Sequence, residues 1–232
     1  MGAVGAEHVM PCELDGLLQA AWQSVKANVR ARGLLGALAL WPRMRLYDKQ
    51  RAIVQSVEEN AETFVVAGNQ LGKDFVAGFI VVAFFLRSFL RGRTCRIVTT
   101  SATEDHLDVL WAEIGDRLSS SALPLLVHRG GPFVAKHHHL RLASSGWDGS
   151  EGGLSDVKSY AIGKVTKSDT RGEGLSGHHA QDTLAIGDEA SGLSDVAYAM
   201  FQGWARQMLF IGNPNECSNF FKRGVKEGDV RT

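Results

Sequence analysis

The stretch FVVAGNQLGKDFVAGF, residues 64–79, decides the fold. A short run from Thr63 to Val66, rich in β-branched residues, meets a turn containing Gly68 and Gly72, then Lys73 and a long apolar stretch. The first run suits a buried strand and the last, which is longer, a buried helix. A glycine turn between strand and helix leaves backbone N–H groups pointing at one spot, and the helix dipole adds positive character there. A lysine at that corner reaches the outer phosphates of a nucleotide.

The full phosphate-loop pattern is G-x-x-x-x-G-K-[ST]. This chain departs from it twice. Ala67 holds the first glycine position, with Gly68 one residue later, and Asp74 replaces the hydroxyl residue after Lys73. Gly68, Asn69, Gln70, Leu71, Gly72, Lys73 and Asp74 are therefore the nucleotide-binding candidates. A carboxylate is an acceptable ligand for a hard cation, so Asp74 is also a candidate metal ligand. Its charge beside the β- and γ-phosphates implies weaker, or more magnesium-dependent, ATP binding than threonine at 74 would allow. Taken alone, the turn also fits a strand–helix corner with a solvated lysine.

Two further strand ends carry chemistry. TLAIGDEAS, 183–191, is an apolar strand ending in adjacent carboxylates. In nucleotide hydrolases the first, here Asp188, binds the magnesium shell, and the second, here Glu189, orients and deprotonates the attacking water. MLFIGNPNE, 208–216, reads as a buried strand ending in a polar turn at Gly212-Asn213-Pro214, which makes Asn213 a candidate to sit near a γ-phosphate. Each feature by itself is an ordinary strand end or turn. Their order along the chain gives them weight.

Outside these stretches, apolar spacing predicts helices at 13–32, 47–59, 73–90, 103–119 and 195–205, and strands at 63–66, 94–100, 183–187 and 207–211. Residues 122–165 are mixed, with β-like runs near 133–143 and 158–163, and 168–179 is a Gly/Ser-rich loop. Alternating strands and helices imply an α/β fold with a mostly parallel central sheet flanked by helices.

The 232 residues are 44% hydrophobic and carry no net charge, so global charge does not announce a nucleic-acid binder. Local basic clusters, Arg87, Arg91, Arg93 and Arg96 or Lys222, Arg223 and Lys226, read as solvated faces or as local contact patches. Cys12, Cys95 and Cys217 are widely spaced and odd in number, which fits neither a disulfide framework nor a zinc site. The start lacks the pattern of a signal peptide, and the apolar stretch from Phe75 to Leu86 is too short to span a bilayer. His137, His138 and His139 alternate faces if they lie on a strand, which argues against a shared metal. His178 and His179 read as members of a polar surface loop.

AGNQLGKD, IGDEASGLSD and FIGNPNECSNFF together resemble the ATPase domain of the large terminase subunit, the motor that packs DNA into viral capsids. LYDKQRAIVQSV, 46–57, is similar to that family's adenine-contacting segment, with Gln50 in the recognition position. RIVTTSATEDHLDVLWAEI and GEGLSGHHAQDTLAIGDEA extend the likeness over roughly residues 45–222. The resemblance implies a P-loop NTPase of the additional-strand, RecA-like type. It also implies ATP and Mg2+ as cofactors, with Lys73, Glu189 and Asn213 catalytic and Asp188 on the metal. Expected partners are double-stranded DNA, further copies in a ring, a portal and a small terminase subunit. The expected place of action is the host cytoplasm, transiently at the procapsid. A neighbour's arginine typically completes such sites, and Arg129, Arg141 and Arg171 are candidates on local context. The domain reading is a helical segment at 1–44, the ATPase domain at 45–222 and a tail or linker at 223–232. No room is left for the family's nuclease domain, so no DNA cleavage is expected. Another P-loop translocase or helicase-like ATPase, or a non-hydrolysing nucleotide-binding assembly module, fits the same residues.

Overall fold

In the computed structural model, residues 16–68, 71–143, 158–166 and 174–227 are described. Along the chain run α1 (Gly16–Arg32), a 3₁₀ segment (Gly33–Leu40), α2 (Asp48–Glu59), β1 (Glu62–Val66), α3 (Lys73–Leu90), β2 (Cys95–Ser101) and α4 (Glu104–Ser119). They are followed by β3 (Phe133–Lys136), β4 (His139–Leu142), β5 (Tyr160–Val165), β6 (Asp182–Gly187), α5 (Asp195–Gln202), β7 (Gln207–Gly212) and α6 (Phe220–Glu227). One seven-stranded sheet has the order β1-β7-β6-β2-β5-β4-β3. The first five of these strands pair in parallel, and β4 and β3 close one edge as an antiparallel hairpin.

The apolar runs of the central strands are continuous because helices cover both faces of the sheet. Side chains alternate between the two cores, as strand geometry requires. Ile97, Leu184, Ile186, Leu209 and Ile211 enter the larger core with α1 to α4. Val98, Ala185, Met208 and Phe210 enter the smaller one with α5 and α6. Helix α3 is apolar on every side and has no solvent face: each residue from Val76 to Ser88 is buried.

The 3₁₀ segment after α1 packs Leu34, Ala37 and Leu40 into the larger core. Gly36 is required there, since a Cβ would lie 2.1 Å from the Asn28 carbonyl oxygen. The tail expected from 223 instead begins as the second half of α6. Gly224 seats that helix on the ring of Phe64, where a Cβ would lie 2.5 Å away, and Arg223 pairs with Asp195 at 3.0 Å.

The basic cluster near the end of α3 is not a solvated face. Arg87 is buried and pairs with Glu58 at 2.8 Å, while the other oxygen of Glu58 accepts the N–H of Leu34 at 3.0 Å. That carboxylate ties α2, α3 and the 3₁₀ segment together. Arg93 pairs with Asp182 at 2.9 Å. Among the described residues Cys95 and Cys217 are free thiols, and burial pushes the Cys95 thiol up to about 12. No described helix is long and apolar enough to cross a membrane.

Candidate nucleotide-binding site

Strand order brings the three chemical segments together. β1, β7 and β6 are consecutive neighbours, so the turns at their carboxyl ends lie side by side. The Ala67 N–H donates to the Gly212 carbonyl at 3.0 Å, carrying the β1–β7 pairing to the start of the loop. Open parallel sheets bind ligands at such ends, where the chain switches direction.

Lys73, the first residue of α3, reaches across β7 and forms an ion pair with Glu189 Oε1. The Asn213 amide donates to both oxygens of Glu189 at 3.3 Å. Gly72 caps α3 at φ 71, a left-handed conformation that glycine adopts without strain. Glu189 itself is left-handed at φ 48, an uncommon state for a residue with a Cβ and a frequent mark of functional sites. The next turn is held by Asn219, whose amide donates to the carbonyls of Ala190 and Leu193 at 3.0 and 2.7 Å.

The electrostatics couple the candidates. Burial opposes the Lys73 ammonium, but its hydrogen bond to Glu189 and the charges of Asp188, Glu189 and Asp74 outweigh that and raise its pKa. Burial also raises the pKa of Asp74, with Lys73 opposing and Glu189 adding to the rise. Asp188 is only 3% exposed, and burial together with Asp74 pushes its carboxyl up to about 6.

Gln50 is buried beside the loop: a Cβ on Gly72 would lie 2.9 Å from its amide nitrogen. Gly68 and Leu71 sit in the same turn, with Leu71 more than half exposed, and Asn69 and Gln70 lie outside the described residues. Tyr47 was not singled out from the sequence. Its hydroxyl donates to the Leu71 carbonyl at 2.6 Å, while its ring stays half-exposed at the same mouth. Nothing in the chain's local pattern marks that contact, because it joins residues on different elements.

Comparison with solved structures settles the architecture. The ATPase domain of the large terminase of Thermus phage P74-26 superposes with a TM-score of 0.57 at 16% identity, over 84% of this chain and 74% of that one. This chain has the large-terminase ATPase fold. A point mutant of the same domain gives 0.56 at 16% identity. The HK97 bacteriophage large terminase gives 0.53 at 13% identity, over 89% of this chain and 42% of that one. No family model matches the sequence, and no curated relative is found.

The terminase-like fold leaves other candidates away from this cluster. Arg129 donates to the Ser119 carbonyl, and Arg141 is buried on β4, next to the edge strand β3. Arg171 lies outside the described residues. His178, expected in a polar surface loop, is instead buried. Its Nε2–H donates to the Gly174 carbonyl at 3.0 Å and its Nδ1 accepts the Tyr160 hydroxyl at 2.6 Å. That burial lowers its pKa.

Asp188 yields a stability prediction. Its pKa is higher folded than the ordinary 3.8, so the folded chain binds its proton more tightly. Stability is then full at low pH, falls between pH about 4 and about 6, and stays reduced above. Asp188→Asn removes this penalty. In magnesium-free buffer at pH 7.5 the variant is expected to be more stable, on the order of 1–3 kcal/mol, with no gain at pH 4. Urea denaturation at the two pH values checks the sign.

Proposed function

We propose that this chain is an ATP-hydrolysing motor domain that drives double-stranded DNA, as a viral large terminase does. The observation that supports this most directly is Lys73, Glu189 and Asn213 meeting from three adjacent strand ends, on a fold shared with terminase ATPase domains.

In this reading the loop amides of 68–74 and the Lys73 ammonium hold the β- and γ-phosphates. Gln50 and the half-exposed ring of Tyr47 receive the base. An incoming triphosphate competes with Glu189 for Lys73, so nucleotide binding frees the Glu189 carboxylate. Glu189 then takes a proton from the attacking water as its oxygen bonds to the γ-phosphorus and ADP leaves. The amide of Asn213 keeps that carboxylate oriented and reports its state to the turn after β7.

Asp188, with Asp74, fits a Mg2+ site. Both are hard oxygen donors, burial and then the charge of Asp74 raise the Asp188 pKa, a repulsion that a bound cation relieves, and Mg2+ is commonly held by one or two carboxylates plus substrate phosphates. The bound ion neutralises phosphate charge. Self-association into a ring, contacts to a portal and a small subunit, and action in the host cytoplasm at the procapsid belong to the same proposal. The DNA contact is electrostatic and independent of sequence. It is built by assembly, since the single chain carries no net charge.

Phosphate release measured over a range of protein concentrations, with and without double-stranded DNA, tests the reading. Turnover that rises with concentration and DNA, and is lost in Lys73→Ala, is the expected result. Nucleotide binding without turnover at any concentration replaces the motor with an assembly module. Stimulation by single-stranded but not double-stranded DNA favours a helicase-like ATPase.

A further inference from the structure

The consecutive histidines 137–139 are not on one strand. Lys136 pairs with His139 across the β3–β4 hairpin, which leaves His137 and His138 as its two turn residues. The expected alternation of faces therefore fails. His138 takes φ 53, the left-handed state that turns normally assign to glycine or asparagine. The two rings stack, with centroids 3.8 Å apart, and both face the side chain of Asp108 on α4. Asp108 Oδ1 lies 3.2 Å from His137 Nε2 and 2.6 Å from His138 Nε2. The three ligand atoms all lie within 4.8 Å of one another.

We propose that Asp108, His137 and His138 form a binding site for a divalent transition-metal ion of the zinc type. Two imidazoles and one carboxylate are the donor set of open, three-ligand zinc sites, with a fourth position left to water or an outside donor. Tetrahedral ligands about 2.1 Å from one ion sit roughly 3.4 Å apart, so the His137–Asp108 distance of 3.2 Å already suits an ion, the His138–Asp108 contact widens by less than ~1 Å, and the two histidine nitrogens, within 4.8 Å, close to the same spacing. A hydrogen bond alone would need one histidine. Here both histidines of the hairpin turn reach the same oxygen.

Access and support differ between the two. The His137 side chain is 73% exposed, open to an incoming ion, whereas that of His138 is 10% exposed and packs against Trp111 at 5.8 Å. The Trp111 indole donates to Thr99 Oγ1 at 2.9 Å, which fixes that wall to β2. The site lies on β3–β4, the sheet edge opposite β1, and is distinct from the phosphate-loop cluster. A bound ion staples the hairpin to α4.

The test is Zn2+ titration of the full chain by calorimetry in excess Mg2+, which occupies the hard oxygen site. Co2+ is added separately for its visible absorption. Wild type is expected to take up one Zn2+, and Asp108→Asn and His137→Ala are each expected to weaken it at least ~10-fold. Both should also lose the intense tetrahedral Co2+ bands. His137 is exposed and Asp108→Asn is nearly isosteric, so both variants are expected to fold, and circular dichroism verifies it. His128→Ala, a change on another segment, leaves the affinity as in wild type. No Zn2+ uptake by wild type, or an affinity loss under tenfold in either variant, overturns the proposal.

Discussion

Glu189→Gln is expected to reduce ATP turnover by about 1000-fold or more while nucleotide binding is retained. The substitution keeps the shape of the side chain and its oxygen toward Lys73 Nζ, but removes the basic site that the proposed reaction uses to accept the water's proton. General-base removal costs about 100- to 10,000-fold. The middle of that range corresponds to ~4 kcal/mol on the barrier. The Asn213 amide holds the carboxylate at 3.3 Å from both oxygens, so a glutamine has little freedom to find another role. Single-turnover phosphate release, paired with equilibrium binding of a fluorescent ATP analogue, separates chemistry from binding. Turnover within threefold of wild type would remove Glu189 from the reaction and leave Lys73 with a purely structural ion pair.

Phe210→Ala carries the largest expected stability effect, about 3–5 kcal/mol. Phe210 is fully buried on β7 and is the hub of an aromatic cluster. Its ring lies 5.4 Å from Phe64, 4.8 Å from Phe220, 5.6 Å from Tyr198 and 6.2 Å from Phe201. The cluster joins β1, α5 and α6 to the strand that carries Asn213. Neighbours fixed to three elements cannot collapse into the space left by the ring, which puts the loss at the upper end for a core truncation. Domains are stable by only about 5–15 kcal/mol, so this is a large fraction of the total. Urea denaturation with the midpoint and slope fitted separately measures it. A loss below ~1 kcal/mol would mean the cluster repacks freely and does not position the β7 turn.

Much of the molecule is legible in local sequence, for a physical reason. A strand covered on both faces must be apolar throughout, and a glycine turn before a helix has a backbone state few other residues tolerate. The runs at 63–66, 183–187 and 207–211 and the corner at Gly72–Lys73 could therefore be read residue by residue, and their likeness to the terminase pattern named the fold. Helix boundaries were less exact where packing decides them. Residues 195–205 form a helix only to Gln202, and 223–227 extend α6 because Phe64 receives Gly224.

The sequence by itself determined which groups have the chemistry to meet a triphosphate: an ammonium, two adjacent carboxylates and an amide, each at the end of an apolar run. Only the tertiary structure decided that they meet, because adjacency in a parallel sheet follows from strand order, and β1-β7-β6 is not the order of the chain. The same holds for the histidines. Local spacing put them on alternating faces, but a two-residue hairpin turn, set by pairing of Lys136 with His139, aims two of them at one carboxylate on a helix. Contacts between residues distant along the chain leave no periodic mark in the sequence, since they are made by the packing of whole elements.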